Sequence, residues 1–131
     1  MHPFQKKILL DQFDDIKEKQ LSRIRKSEIY FKNLKEIKYL IFPQNIFDEK
    51  SVFIDFPIIC DSRSSKEELF NYLLKKKIDV KNYYYRNCSE QEIYKPNNHI
   101  CLNSKKISEN ILMLPVHKKI TEKYQSKIVN E

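Results

Sequence analysis

Cys60, Cys88 and Cys101 are the soft nucleophiles of this chain, and His2, His99 and His117 are its imidazoles. A thiol enzyme needs one such cysteine beside one such histidine, which takes the thiol proton. Cys88 or Cys101 with His99 or His117 makes that pair on paper, but no spacing orients it. Three cysteines without C-x-x-C spacing argue against both a zinc site and a disulfide framework. Reduced thiols are the expectation, with Cys88 and Cys101 buried or inert. Lysines are abundant, but a nucleophilic lysine needs a desolvated pocket that depresses its pKa. The sequence singles none out.

Composition removes other chemistries. The 131 residues contain no glycine and no tryptophan, and the sequence has no alanine either. Without glycine there is no phosphate-cradling loop, no dinucleotide fingerprint and no glycine-flanked nucleophile elbow. The missing residues have GC-rich codons, and the abundant Lys, Ile, Asn, Tyr and Phe have AT-rich ones. The net charge of +7 is read largely as drift toward lysine. Its signs are interspersed as on a solvated surface. A basic module binding nucleic acid or an acidic protein is the alternative reading, and it predicts binding that weakens steeply with salt. No apolar run approaches the roughly 20 residues that cross a bilayer, and no signal peptide is visible. A cytoplasmic protein with no membrane contact is expected.

The elements that must position any site follow from periodicity. Phe4, Ile8, Phe13, Ile16, Ile24, Phe31, Leu34 and Ile37 recur mostly at three-, four- or seven-residue steps. This predicts one helix over residues 1–40. About 35 helical residues span about 50 Å, too long for a domain of this size, so the helix should bridge to a partner chain or a missing domain. Lys17, Lys19, Arg23, Arg25 and Lys26 form its basic stretch, read as a wet face paired with nearby acids. Residues 51–60 read as a strand, with Pro57 arguing for an edge or a bulge. Ser64 with Glu67 and Ser65 with Glu68 offer capping boxes for a helix burying Leu69, Phe70, Leu73 and Leu74. A second strand follows over 80–85. Ser104 caps a short helix through Ile107 and Ile111, then comes a short apolar strand. Thr121 caps a last helix with Tyr124 and Ile128 inward. The fold class is α/β, with a small, mainly antiparallel sheet covered by helices. The chain reads as one domain over 1–131, with the helical arm over 1–40 and the small α/β unit over 51–131.

Leu112, Leu114, Pro115, His117, Ile120 and Thr121 form a closing L-x-L-P-x-H and I-T pattern. Phe56, Pro57, Ile58, Ile78, Tyr83 and Tyr84 lie upstream of it, and MHPFQKKILLDQF, with Arg25 and Tyr30 later, opens the chain. In this order the three pieces resemble the closing signature, the small domain and the start of the interdomain helix of the DegT/DnrJ/StrS-type sugar aminotransferases, PLP-dependent enzymes of fold type I. Lys6-Lys7 stand where the family has an alanine pair. Lys77 stands where it ends a helix with glycine, a change that costs roughly 1 kcal/mol in a left-handed cap.

The resemblance implies the C-terminal small domain of such an enzyme. The full-length relative transfers an amino group, with glutamate as donor, to a keto-sugar nucleotide. In the family a large N-terminal domain holds PLP and its Schiff-base lysine. This chain is therefore expected to carry no cofactor-binding or catalytic residue and to be inactive alone. Expected partners are a separate PLP-domain chain or a second copy through the long helix. A split gene, a truncated remnant and a recruited noncatalytic module each lead to such a chain. By family position, Tyr83, Tyr84, Tyr85 and Arg86 line the substrate side. Arg86 would pair with a phosphate and a tyrosine would stack on the sugar nucleotide. The family's H-Y-x-P-x-H wording after the second strand is absent. His117 is expected to be structural.

Overall fold

The computed structural model describes residues 2–13, 15–48, 51–82, 87–97 and 101–131, with backbone alone at 95–97. Its opening arm is two helices rather than one, α1 (Pro3–Phe13) and α2 (Ile16–Leu34). Asp15 caps α2 at φ −88° and ψ −4°, and its carbonyl accepts the Lys19 N–H at 3.0 Å. Its side chain makes no capping bond. A half-turn from Leu34 to Leu40 leads into β1 (Leu40–Ile41).

β2 (Asp55–Cys60) and β3 (Ile111–Pro115) complete a three-stranded antiparallel sheet in the order β1-β2-β3. The strand expected over 51–60 starts at Asp55. Five of its six residues are buried, so both its faces are covered. Pro57 lies in the middle strand and not at an edge. Its partner across β3 is Met113, whose N–H and carbonyl both bond to Lys81 on the far side. The Pro57–Met113 pair is thus a non-bonded one, and the missing N–H faces the β1 side. β1 reaches only Ile59 and Cys60, so the proline breaks no ladder.

α3 (Arg63–Lys75) packs against the sheet. Its cap is Ser62, not Ser64 or Ser65, with Oγ accepting the Ser65 N–H at 3.1 Å. Leu73 is buried, Leu69 and Phe70 are partly buried against the core, and Leu74 is exposed. The helix ends in a Schellman motif. Ile78 N–H bonds to Leu73 O and Lys77 N–H to Leu74 O, both at 2.9 Å. Lys77 sits at φ 58°, where glycine was expected. α4 (Leu102–Asn110) runs straight into β3. Its cap is Cys101, without a side-chain bond. α5 (Glu122–Asn130) starts at Thr121, whose Oγ1 accepts the Tyr124 N–H at 3.2 Å.

The core is stitched by aromatic rings. Tyr30 of α2 lies 5.6 Å from Phe56 of β2. Phe31 meets Phe42 and Phe47 edge-on at 5.4 Å each. Phe53 joins Phe47 and Phe56. Leu112, Leu114, Val116 and Ile128 close the other side. Such edge and tilted contacts add to area burial and fix α2 across the sheet. No helix among the described residues is long and apolar enough to cross a membrane.

Candidate functional site

Tyr83, Tyr84, Tyr85 and Arg86 lie outside the described residues, but the structure describes the anchors on both sides of them. Upstream, Lys81 forms a single bridge to Met113, with both backbone bonds at 3.1 Å. This bridge is what the described residues show of the strand expected over 80–85. It adds Lys81 to the free edge of β3, and its Nζ lies 2.6 Å from Asp55 Oδ2. The Asp55 side chain is 5% exposed, so the edge is held by a shielded ion pair. Downstream, Asn87 is buried. Its Oδ1 accepts the Ser89 N–H at 3.3 Å, and its Nδ2 donates to Cys101 O at 3.4 Å. Lys105 of α4 pairs with Glu90 at 2.9 Å, which raises the lysine's pKa. Lys81 is therefore held at the sheet edge and Asn87 at the start of α4.

The thiols sort differently from expectation. Cys88 and Cys101 are exposed, and Cys60 is buried. Burial pushes the Cys60 thiol up to about 11; Asp61 adds to the shift and Lys66 opposes it. Cys60 is thus the inert one. His117 is half-buried, and its backbone takes the structural part. Its carbonyl accepts Lys26 Nζ at 2.9 Å and the Ile120 N–H at 3.0 Å. His2 Nδ1 faces the Phe4 N–H at 3.4 Å, and His99 lies outside the described residues. Among the described residues no three His, Cys, Asp or Glu side chains gather as a metal site.

The basic stretch of α2 is partly a docking face, which periodicity alone did not reveal. Lys26 reaches His117 O, and Arg23 donates to Phe53 O at 3.4 Å. Gln125 of α5 returns a bond to Lys26 O at 2.5 Å. Desolvation lowers the Lys26 pKa. Lys19 pairs with Asp15 at 3.5 Å, as the wet-face reading expects.

α1 is different again, since none of its residues is buried. Phe4, Ile8, Leu9, Leu10 and Phe13 are all exposed. At 100° per residue Phe4 and Ile8 point one way, Leu9 and Phe13 another, and Leu10 a third. Gln5, Lys6, Lys7, Asp11 and Gln12 lie between them, so apolar and polar side chains alternate around the helix.

Over residues 1–131 the chain matches the profile of the DegT/DnrJ/EryC1/StrS aminotransferase family. No curated protein matches it in sequence. Solved structures do match in fold. Helicobacter pylori PseC, an aminotransferase involved in the biosynthesis of pseudoaminic acid, is 17% identical with a TM-score of 0.78; the match covers 92% of this chain and 33% of that one. A DegT DnrJ EryC1 StrS aminotransferase from Brucella abortus is 22% identical with a TM-score of 0.77, over 93% and 32% of the two chains. A putative sugar aminotransferase from Streptococcus pneumoniae, in its PLP form, is 18% identical with a TM-score of 0.74, over 92% and 32%. The chain spans about a third of the length of these structures.

Proposed function

Because the chain belongs to the DegT/DnrJ/EryC1/StrS aminotransferase family, we propose that it is the small-domain part of a PLP-dependent enzyme that aminates keto-sugar nucleotides. The carrying observation is the family match over the whole chain, joined to a fold that corresponds to one third of the solved sugar aminotransferases. The α1 surface supports the same reading. Five large apolar side chains left exposed on one helix fit coverage by a larger domain.

The family's cofactor is PLP, which acts as an electron sink when bound to a lysine. The described residues do not fit that group. Lys26 has a lowered pKa, but its ammonium already bonds the His117 carbonyl. Cavities of about 540 Å³ and about 70 Å³ have no lysine in their walls. In the proposed assembly the cofactor is held elsewhere, and these 131 residues alone do not transaminate. Their contribution is to the substrate side. Tyr83, Tyr84, Tyr85 and Arg86 contact the sugar nucleotide, with Arg86 on a phosphate. Lys81 and Asn87 hold the two ends of that segment.

The test starts with about a kilobase of DNA upstream of the Met1 codon. A PLP domain with its Schiff-base lysine is expected there, in the same or a neighbouring frame. Expressed together, the two parts should copurify and aminate a keto-sugar nucleotide with glutamate as donor. Unrelated upstream DNA removes the proposal. So does a single-site pyridoxyl adduct on this chain after incubation with PLP and borohydride reduction, because it would place the cofactor lysine here.

A further inference from the structure

A cleft of about 540 Å³ lies between α3 and the C-terminal end of α5, lined by Tyr39, Ser65, Glu68, Leu69, Tyr72 and Glu131. Tyr39 precedes β1, at the sheet edge opposite the one Lys81 extends. The cleft is therefore separate from the candidate substrate segment. Its volume is in the range of small-molecule sites.

Its lining reverses the character of the surface around it. The chain carries 25 Lys and Arg residues and a net charge of +7, yet no lining residue is basic and two are carboxylates. Tyr39 and Tyr72 are 45% and 40% exposed. Leu69 is half-buried between them in the chain and gives an apolar wall. Ser65 adds a hydroxyl.

At its rim the cleft already receives an ammonium. Lys76 Nζ lies 5.2 Å from the centre of the Tyr72 ring and 2.6 Å from Glu131 Oε2. Tyr72 Oη donates to the same carboxylate oxygen at 2.8 Å. Those bonds hold the Glu131 carboxyl below its ordinary range, so it is charged at neutral pH. Ring plus carboxylate is the chemistry that recognises a cation with an apolar body. Tyr39 and Glu68 line the same cleft. Among the described residues Glu68 has only a long 3.4 Å bond from Ser64 Oγ.

We propose that this cleft binds a small primary amine carried on a short aliphatic chain. The ammonium lies between the Glu68 carboxylate and the Tyr39 ring, and the methylenes lie along Leu69 and Tyr72. Binding is non-covalent, and the amine stays protonated.

The experiment is a titration of the full ¹⁵N-labelled chain with pentylamine at neutral pH, followed by amide shifts. Saturable shifts are expected at Ser65, Glu68, Leu69 and Tyr72, and pentanol should produce none. Glu68→Gln is expected to weaken binding about fivefold and Tyr39→Leu about threefold. Both side chains are exposed, and the backbone bond from Asp61 N–H to Tyr39 O survives the second change. Retained shift dispersion then shows that each variant is folded. Equal shifts with pentanol, shifts scattered over unrelated carboxylates, or unchanged affinity in Glu68→Gln would each overturn the proposal.

Discussion

Tyr30 Oη donates a hydrogen bond to the Pro115 carbonyl at 3.1 Å, and the donor ring is fully buried. This bond ties α2 to the end of β3 across 85 residues of chain. It satisfies the last carbonyl of β3. Tyr30→Phe keeps the ring beside Phe56 but leaves that carbonyl dry. A loss of about 1–2 kcal/mol is expected. Urea unfolding should show a lower midpoint with an unchanged slope. An unchanged midpoint would mean that the bond contributes nothing net.

The same burial sets the alkaline limit. Desolvation raises the Tyr30 pKa above its ordinary 10.0, with Tyr124 adding to the shift. Cys60 is raised from 9.0 to about 11. In both cases the folded chain keeps a proton that the unfolded chain releases. Stability is therefore full below pH 9 and falls as pH rises, first through Cys60 and then, above pH 10, through Tyr30. Cys60 has 0% exposure, and its two-unit shift corresponds to a loss on the order of 2 kcal/mol by pH 11. Lys26 works in the opposite sense, since its lowered pKa relieves strain as pH rises. Single variants separate these contributions. In Cys60→Ala the first fall, from pH 9, should vanish while the later one remains in thermal melts across pH 8–11.

Local signals carried much of the fold. Thr121 before an apolar-periodic stretch marked a helix start because an N-cap needs only its own side chain and the next turn. The left-handed cap at Lys77 was legible only through the family resemblance, because lysine itself carries no signal for that conformation. Longer-range readings were harder. Pro57 is tolerated in the middle strand because β1 is too short to reach it, which no window around Pro57 reveals. Ser62 beats Ser64 as a cap because Asp61 is held by the Tyr39 carbonyl at 2.9 Å, which fixes where the chain turns. Lys26 and Arg23 looked like a solvated stripe because their acceptors, His117 and Phe53, are 91 and 30 residues away. Of the site, sequence pointed to Tyr83, Tyr84, Tyr85 and Arg86 through family position. The buried Asn87 and the Asp55–Lys81 pair that flank them carry no motif.

The left-handed cap gives a stabilising change. Lys77 holds φ 58° without a glycine, while its own N–H and that of Ile78 make the two bonds of the motif. Its side chain is exposed, so it can be removed without opening the core. Lys77→Gly should stabilise by about 0.5–1 kcal/mol. Lys77→Ala should not, because alanine keeps the Cβ that the conformation disfavours. Denaturant midpoints of the two variants decide this. Equal midpoints would show that the loss of unfolded-state entropy with lysine or alanine offsets the cap strain.

The Asp55–Lys81 pair gives the sharpest asymmetry. Asp55 is nearly enclosed at 5% side-chain exposure, while Lys81 remains 33% exposed. Lys81→Met leaves a shielded carboxylate without its ammonium, and Asp55→Asn leaves a half-buried ammonium that water still reaches. The first should therefore cost more, about 2–3 kcal/mol against about 1 kcal/mol for the second. Because Lys81 also carries the backbone bridge to Met113, the loss should appear locally. Amide exchange at Lys81 and Met113 should speed up in Lys81→Met before the sheet amides of β2 do. If Asp55→Asn proves the costlier change, the carboxylate is held chiefly by other donors, and the edge beside residues 83–86 is not fixed by this pair.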